Sequence, residues 1–215
     1  FITCVGSREE DPKGIAKSYC SNFCCMFTLK LANLFKDHWP DVELYILYMD
    51  MRTIFKGFED FYIKARDVGI TFIRGRPSEV IELPNKDLKI KVFDTFINQP
   101  VELEVEMVVL AEASVPNPDS KQLGAILNVA TDEHGFFIEG HPKLKPIDFA
   151  TDGLFVCGCA QALKDIPYSV SQSHGAASRA TRIMSHDKWK IDPIVAVVDD
   201  AICICLLYTS DAADE

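Results

Sequence analysis

Between Ile2 and Arg74 the apolar residues change period four times, and that alternation restricts the fold class more than any other feature. Ile2 to Val5 is a short apolar run ending at Gly6-Ser7, as a buried strand entering a loop does. From Met26 onward Phe27, Leu31, Leu34 and Phe35 share one helical face, Lys30, Lys36 and Asp37 fall elsewhere, and Pro40 closes the segment. Val42 to Met49 is β-branched and aromatic, the composition of an inner strand. Phe58, Phe61, Tyr62, Ala65 and Val68 then recur at helical spacing up to Gly69, a common helix stop, and Ile70 to Arg74 returns to strand. Strand, helix, strand, helix, strand is the pattern of a parallel sheet with right-handed crossovers, so an α/β fold is expected.

Beyond Arg74 the pattern changes. Leu88 to Phe96 and Val101 to Met107 alternate apolar and polar residues, which predicts antiparallel strands with one wet face. Val108 to Ala111 is fully apolar. After Pro116 and Pro118 a short helix is expected over Ser120 to Leu127, then strands at Gly135 to Glu139 and Gly153 to Gly158. A long helix is expected from about Pro167 to Ser185, proline suiting a first helical turn that needs no N–H. The segment near Ile191-Asp192-Pro193 reads as a linker.

Composition narrows the function classes. The chain has 215 residues, and its formal charge of −10 argues against a nucleic-acid partner. No window approaches the roughly 18 consecutive apolar residues of a membrane span. No basic-then-apolar leader pattern points to secretion, and a cytoplasmic place is expected. Cys205 to Glu215 (CLLYTSDAADE) follows no pattern set up before it; it resembles the translation of a sequencing-library adapter and is expected to be a non-native tail.

Eight cysteines in a chain that is neither short nor loop-rich point away from a disulfide scaffold. Three of them crowd into Tyr19 to Cys25 (YCSNFCC), with Cys4 upstream. Four thiolates suffice for one [4Fe–4S] cluster, but the C-x15-C-x3-C-C spacing is not the ferredoxin run. Small buried hydrophobes opening a helix, or a zinc site, stay open on spacing alone. Cys157-Gly158-Cys159 lacks the C-x-x-C spacing of a redox dithiol, and Cys157 is expected in a buried strand face. The five histidines show no ligand spacing with one another, and His174 is expected as a packed helical residue.

Several segments carry a resemblance. CVGSR (Cys4 to Arg8) followed by YCSNFCCM (Tyr19 to Met26), MDMRTIFKGFEDFY (Met49 to Tyr62) and FIRGRPSEV (Phe72 to Val80) are similar to the A-type, iron–sulfur and flavin subunit of heterodisulfide reductase. So are GFFIEGHPKLKPID (Gly135 to Asp148) and TDGLFVCGCAQALKDIPYSVSQ (Thr151 to Gln172). The resemblance runs from about Phe1 to Ile204. It implies a fragment of a two-subdomain thioredoxin-reductase-like flavoprotein with FAD/NAD(P)-binding Rossmann-type halves. Residues 1–113 are then an NAD(P)-type subdomain carrying the cluster site, and 114–190 the return into the FAD-binding subdomain. Residues 191–204 are a linker and the start of a ferredoxin-like domain, and 205–215 the tail.

The resemblance implies FAD and a [4Fe–4S] cluster as cofactors, with Cys4, Cys20, Cys24 and Cys25 as cluster ligands and Cys203 as the first cysteine of a second cluster. A strand end and a helix start bring these ligands to the crossing where other doubly wound folds hold a pyrophosphate, so a fast NAD(P)H site is disfavoured. For FAD it implies Gly158, Cys159, Ala160, Lys164, Ile166, Pro167 and Val170. There Cys159 replaces the aspartate of a Gly-Asp motif, and the helix starting near Pro167 points its N-terminus at the isoalloxazine. Lys164 is either a fixed charge near the flavin or a solvated loop lysine. Ala113 stands where the family prefers glycine. The implied function is electron transfer between FAD and clusters, supporting flavin-based electron bifurcation with other reductase subunits, ferredoxin, and a hydrogenase or formate dehydrogenase in an oligomeric complex. An NAD(P)H-dependent flavin disulfide reductase and a zinc-stapled or purely structural domain are the alternatives.

Overall fold

A computed structural model describes residues 1–9, 16–188, 199, 201 and 202. The alternation expected up to Arg74 is present: β1 (Ile2–Val5), α1 (Cys24–His38), β2 (Tyr45–Tyr48), α2 (Phe58–Asp67) and β3 (Thr71–Arg74). With β7 (Leu110–Glu112) these strands form a parallel sheet of order β3-β2-β1-β7. Tyr45 to Tyr48 pair residue by residue with Thr71 to Arg74, and Ile2 lies between Leu47 and Leu110.

Side chains of successive strand residues point to opposite faces, and the core follows that rule. Ile46 joins Leu29 and Ala32 of α1 and Ala65 of α2 on the helical face. Leu47 joins Ile2, Ile73, Ile90 and Val92 on the other. Leu29, Ile46 and Leu47 are no more than 1% exposed, a burial that stabilises by roughly 1.5–3 kcal/mol each.

The second face is covered by an antiparallel sheet of β4 (Pro77–Glu82), β5 (Leu88–Asp94) and β6 (Gln99–Val105), in that order. The β5–β6 pair was expected. Strand β4 was not among the expected elements; as an edge strand it tolerates Pro77, since one side of its backbone is unpaired. After β7 the chain forms α3 (Ser120–Leu127), as expected, and α4 (Ile166–Met184), which begins one residue before Pro167.

Two expected strands are not ladder strands. Gly135 to Glu139 makes only the isolated bridge Thr131–Phe137, and the Gly153 to Gly158 run only Asp148–Phe155, followed by a 3-10 turn at Gly158–Ala160. Phe137 and Val156 of these runs are buried by packing with Phe149 instead, while no neighbouring strand among the described residues pairs continuously with either run. Helix α1 starts at Cys24, two residues earlier than the apolar stripe indicated. The Ile191 linker, Cys203 and the tail 205–215 lie outside the described residues. No helix among the described residues is long and apolar enough to cross a membrane.

Candidate functional site

Strand β1 ends in a distorted turn. Cys4 has φ +59°, a left-handed conformation that L-residues rarely adopt, and the pairing of β1 with β7 shifts register between Ile2 and Val5. Gly6 follows at φ +68°. A Cβ there would sit 3.9 Å from that of Ala113, an ordinary contact, and the Ala113 N–H reaches the Val5 carbonyl at 2.8 Å. Alanine at 113 is therefore accommodated, and Gly6 serves backbone conformation rather than close approach.

Helix α1 opens on Cys24 and Cys25 with no side-chain cap. Both are buried and pack against Ala111 of β7, and Cys4 is buried beside them. The Cys24 thiol is hydrogen-bonded to both neighbours, and this is the main cause that draws Cys4 down to about 6 and Cys25 to about 7. Thr3 and Arg8 add to the effect at Cys4, and the backbone of Arg52 at Cys25, against the opposing cost of burial. Cys24 itself is pushed up, by those two hydrogen bonds and by desolvation. Cys25 Sγ donates to the Asp50 carbonyl at 3.5 Å, and half-buried Cys20 accepts the Asn22 N–H at 3.3 Å.

The four sulfurs do not converge: among the described residues no group of three or more His, Cys, Asp or Glu side chains is arranged to hold a metal ion. The chemistry of the set nevertheless fits an iron–sulfur group. Two of the three buried thiols are poised toward thiolate, and nearby Arg8, fixed by Asp50 at 2.6 Å, adds positive charge. Ser7 Oγ, buried in the same turn, has no hydrogen-bond partner among the described residues.

The loop carrying Cys20 is tied to the C-terminal part of the chain. Tyr19 donates its hydroxyl to the Ser114 carbonyl at 2.9 Å, and its ring meets Phe136 edge-on at 5.5 Å. The Ser114 N–H reaches Ser21 Oγ at 3.1 Å. Asn22, itself at φ +66°, donates Nδ2 to the Leu163 carbonyl at 3.3 Å, which brings the cysteine loop to the turn before α4.

That turn holds the residues the resemblance implied for FAD. Gly158 has φ +66°, and its N–H is taken by Gln172 Oε1 at 2.7 Å, so this amide is engaged within the protein. Cys159 and Ala160 are exposed, and Cys159 Sγ donates to the Lys164 carbonyl. Ile166, Pro167 and Val170 present an exposed apolar start to α4. The α4 N-terminus is already capped: Asp165 Oδ1 accepts the Tyr168 N–H at 2.9 Å, placing a carboxylate at the positive end of the dipole.

Lys164 is not a solvated loop lysine. It is 4% exposed, with Nζ bound to three acceptors of its own loop, and burial lowers its pKa. Cys157 is half-buried rather than inside a sheet, since no ladder forms there, and His174 is exposed because α4 buries Gln172 and Ala176 instead. Sequence reasoning did not single out Arg8, Asp50, Asn22, Gln161 or Gln172. Of these only Asn22 carried a signal, as a residue type that tolerates the left-handed conformation.

No protein-family model matches the chain. It is 45% identical over 204 residues to the A-type subunit of the H(2):CoB-CoM heterodisulfide,ferredoxin reductase of Methanothermobacter thermautotrophicus. It is 44% identical over 205 residues to the A-type iron-sulfur subunit of the CoB--CoM heterodisulfide reductase of Methanocaldococcus jannaschii. Both alignments cover 94% of this chain, and 30% and 31% of those proteins. The A-type subunit of the Ferredoxin:CoB-CoM heterodisulfide reductase of Methanosarcina acetivorans is 42% identical over 99% of this chain, an alignment that reaches into residues 205–215. The chain spans about 30% of the length of the curated relatives it matches. In fold it is similar to thioredoxin reductase from T. acidophilum, with a TM-score of 0.51 and 15% identity over 86% of this chain and 52% of that one.

Proposed function

We propose that this chain supplies the electron-transfer part of an A-type heterodisulfide reductase subunit, with Cys4, Cys20, Cys24 and Cys25 holding a [4Fe–4S] cluster next to FAD. The observation that carries this reading is the burial of Cys4, Cys24 and Cys25 where β1 crosses to α1, beside the Cys20 loop that Asn22 binds to the turn before α4. A [4Fe–4S] cluster exchanges single electrons and a flavin exchanges pairs, which no side chain here can do unaided.

The protein's part is placement and exclusion. Burial of Cys4, Cys24 and Cys25 keeps water from the sulfurs, and Arg8 favours the anionic form of Cys4. The Asn22 N–H orients the Cys20 sulfur. On the flavin side, the backbone at Cys159 and Ala160 and the exposed start of α4 are the contact surface. Residues 1–113 and 114–190 act as two subdomains, joined through Ser114. The complete protein works in the cytoplasm with other reductase subunits, ferredoxin, and a hydrogenase or formate dehydrogenase as electron source, and supports bifurcation at the flavin.

Anaerobic reconstitution of the chain with iron, sulfide and FAD tests this. About four iron and four sulfide per chain are expected, with the signal lost in the Cys24→Ser, Cys25→Ser double variant. A cluster that forms equally well in that variant overturns the ligand set. One zinc per chain and no iron would point to a zinc-stapled domain. Flavin bleached by NADPH without iron would point to an NAD(P)H-dependent flavin disulfide reductase.

A further inference from the structure

We propose that Lys164 is a positioning residue, its ammonium holding the turn from Gly158 to Leu163 against the start of α4 rather than facing a ligand. An ammonium has three N–H donors. Lys164 Nζ lies 2.9 Å from the Gly158 carbonyl, 2.8 Å from that of Ala162 and 3.1 Å from Gln161 Oε1, so its donors are spent inside the turn. The Tyr168 ring lies 5.6 Å from the same nitrogen, a cation–π distance.

The acceptors are themselves fixed. Gln172, in the second turn of α4, takes the Gly158 N–H at 2.7 Å and donates to Gln161 Oε1 at 2.7 Å. Gln161 Nε2 donates to Glu139 at 3.0 Å. Gly158 is thus held at both its N–H and its carbonyl while in a left-handed conformation. Glu139 is linked to Lys164 through Gln161, with no direct ion pair between the two, so the ammonium's direct partners are carbonyl and amide oxygens. With its three donors engaged, Lys164 is also enclosed, at 4% exposure. The backbone it shapes, at Cys159 and Ala160, is what remains exposed.

The functional consequence rests on the flavin reading of this loop, but the structural claim does not, and two readouts separate them. In the full chain without flavin, amide hydrogen exchange in Lys164→Met should accelerate at 158–163 and the first turn of α4, with exchange in β1 to β3 unchanged and partial recovery in Lys164→Arg. With FAD added, the variant should bind about tenfold or more weakly, the size seen for outer supports of bound groups. The midpoint potential of its bound flavin should stay where it is. Unchanged exchange at 158–163 overturns the proposal, as does acceleration spread over the whole chain. A shifted potential at unchanged affinity also overturns it, by making Lys164 a charge that acts on the flavin directly. If the unmodified chain binds no FAD, the flavin reading fails, and the exchange comparison still decides the role of Lys164.

Discussion

At Asn22 three roles meet in one residue: a left-handed backbone, an N–H on Cys20 Sγ, and a side-chain amide on the Leu163 carbonyl. Substitutions separate them. Asn22→Gly keeps the backbone and loses the amide link, whereas Asn22→Ala also forces a Cβ without a compensating polar group into φ +66°. Asn22→Ala is expected to be less stable than Asn22→Gly by about 1 kcal/mol in urea unfolding. Equal stability of the two variants would mean that the backbone is free to leave this conformation. The family resemblance, rather than the cysteine spacing, named which sulfurs to suspect. It did not show that Cys24 lies between the other two buried thiols, because that depends on how β1, α1 and β7 meet.

Among the elements, α4 shows how a local signal and a packed environment share control. Pro167 announced its start, and Asp165 caps it through the Tyr168 N–H. Asp165→Ala should destabilise by about 1 kcal/mol, and Asp165→Asn, which keeps the accepting oxygen, by less; thermal unfolding of the two variants checks the order. Where the two sheets meet, a Cβ on Gly75 would lie 2.2 Å from the Phe93 carbonyl oxygen and 2.9 Å from Val92 Cγ2. The glycine lets the end of β3 close on β5, and Thr95 then bonds the Arg74 carbonyl through both its N–H and its hydroxyl. Gly75→Ala is expected to cost about 1–3 kcal/mol, because backbone rather than a flexible side chain must move, measured by urea unfolding.

For the molecule as a whole, Asp50 joins the end of β2 to the turn after β1 and the end of β3, through Arg8 at 2.6 Å and Arg74 at 3.5 Å. The hydrogen bond from Arg8, then its charge and that of Arg74, holds the Asp50 carboxyl below its ordinary value of 3.8. A carboxyl lowered in the folded state stabilises fully above its unfolded value, and that contribution is lost as pH falls through the folded one. Stability should therefore decline on the acid side. Asp50→Asn should reduce the loss in urea midpoint between about pH 6 and about pH 3. An unchanged pH dependence in that variant would remove Asp50 from the acid response.

Sequence by itself determined the parallel βαβαβ start and the β5–β6 pair, because both are written in apolar periods that any folded state must satisfy. Tertiary structure decided the rest. It left Gly135 to Glu139 and Gly153 to Gly158 with single bridges, since a strand needs a neighbour that its own residues do not specify. It enclosed Lys164, a residue whose charge alone suggested solvent or ligand. It also brought Leu163 to Asn22 across 141 positions of chain, because hydrogen bonds between distant loops are fixed only when the core beneath them is packed.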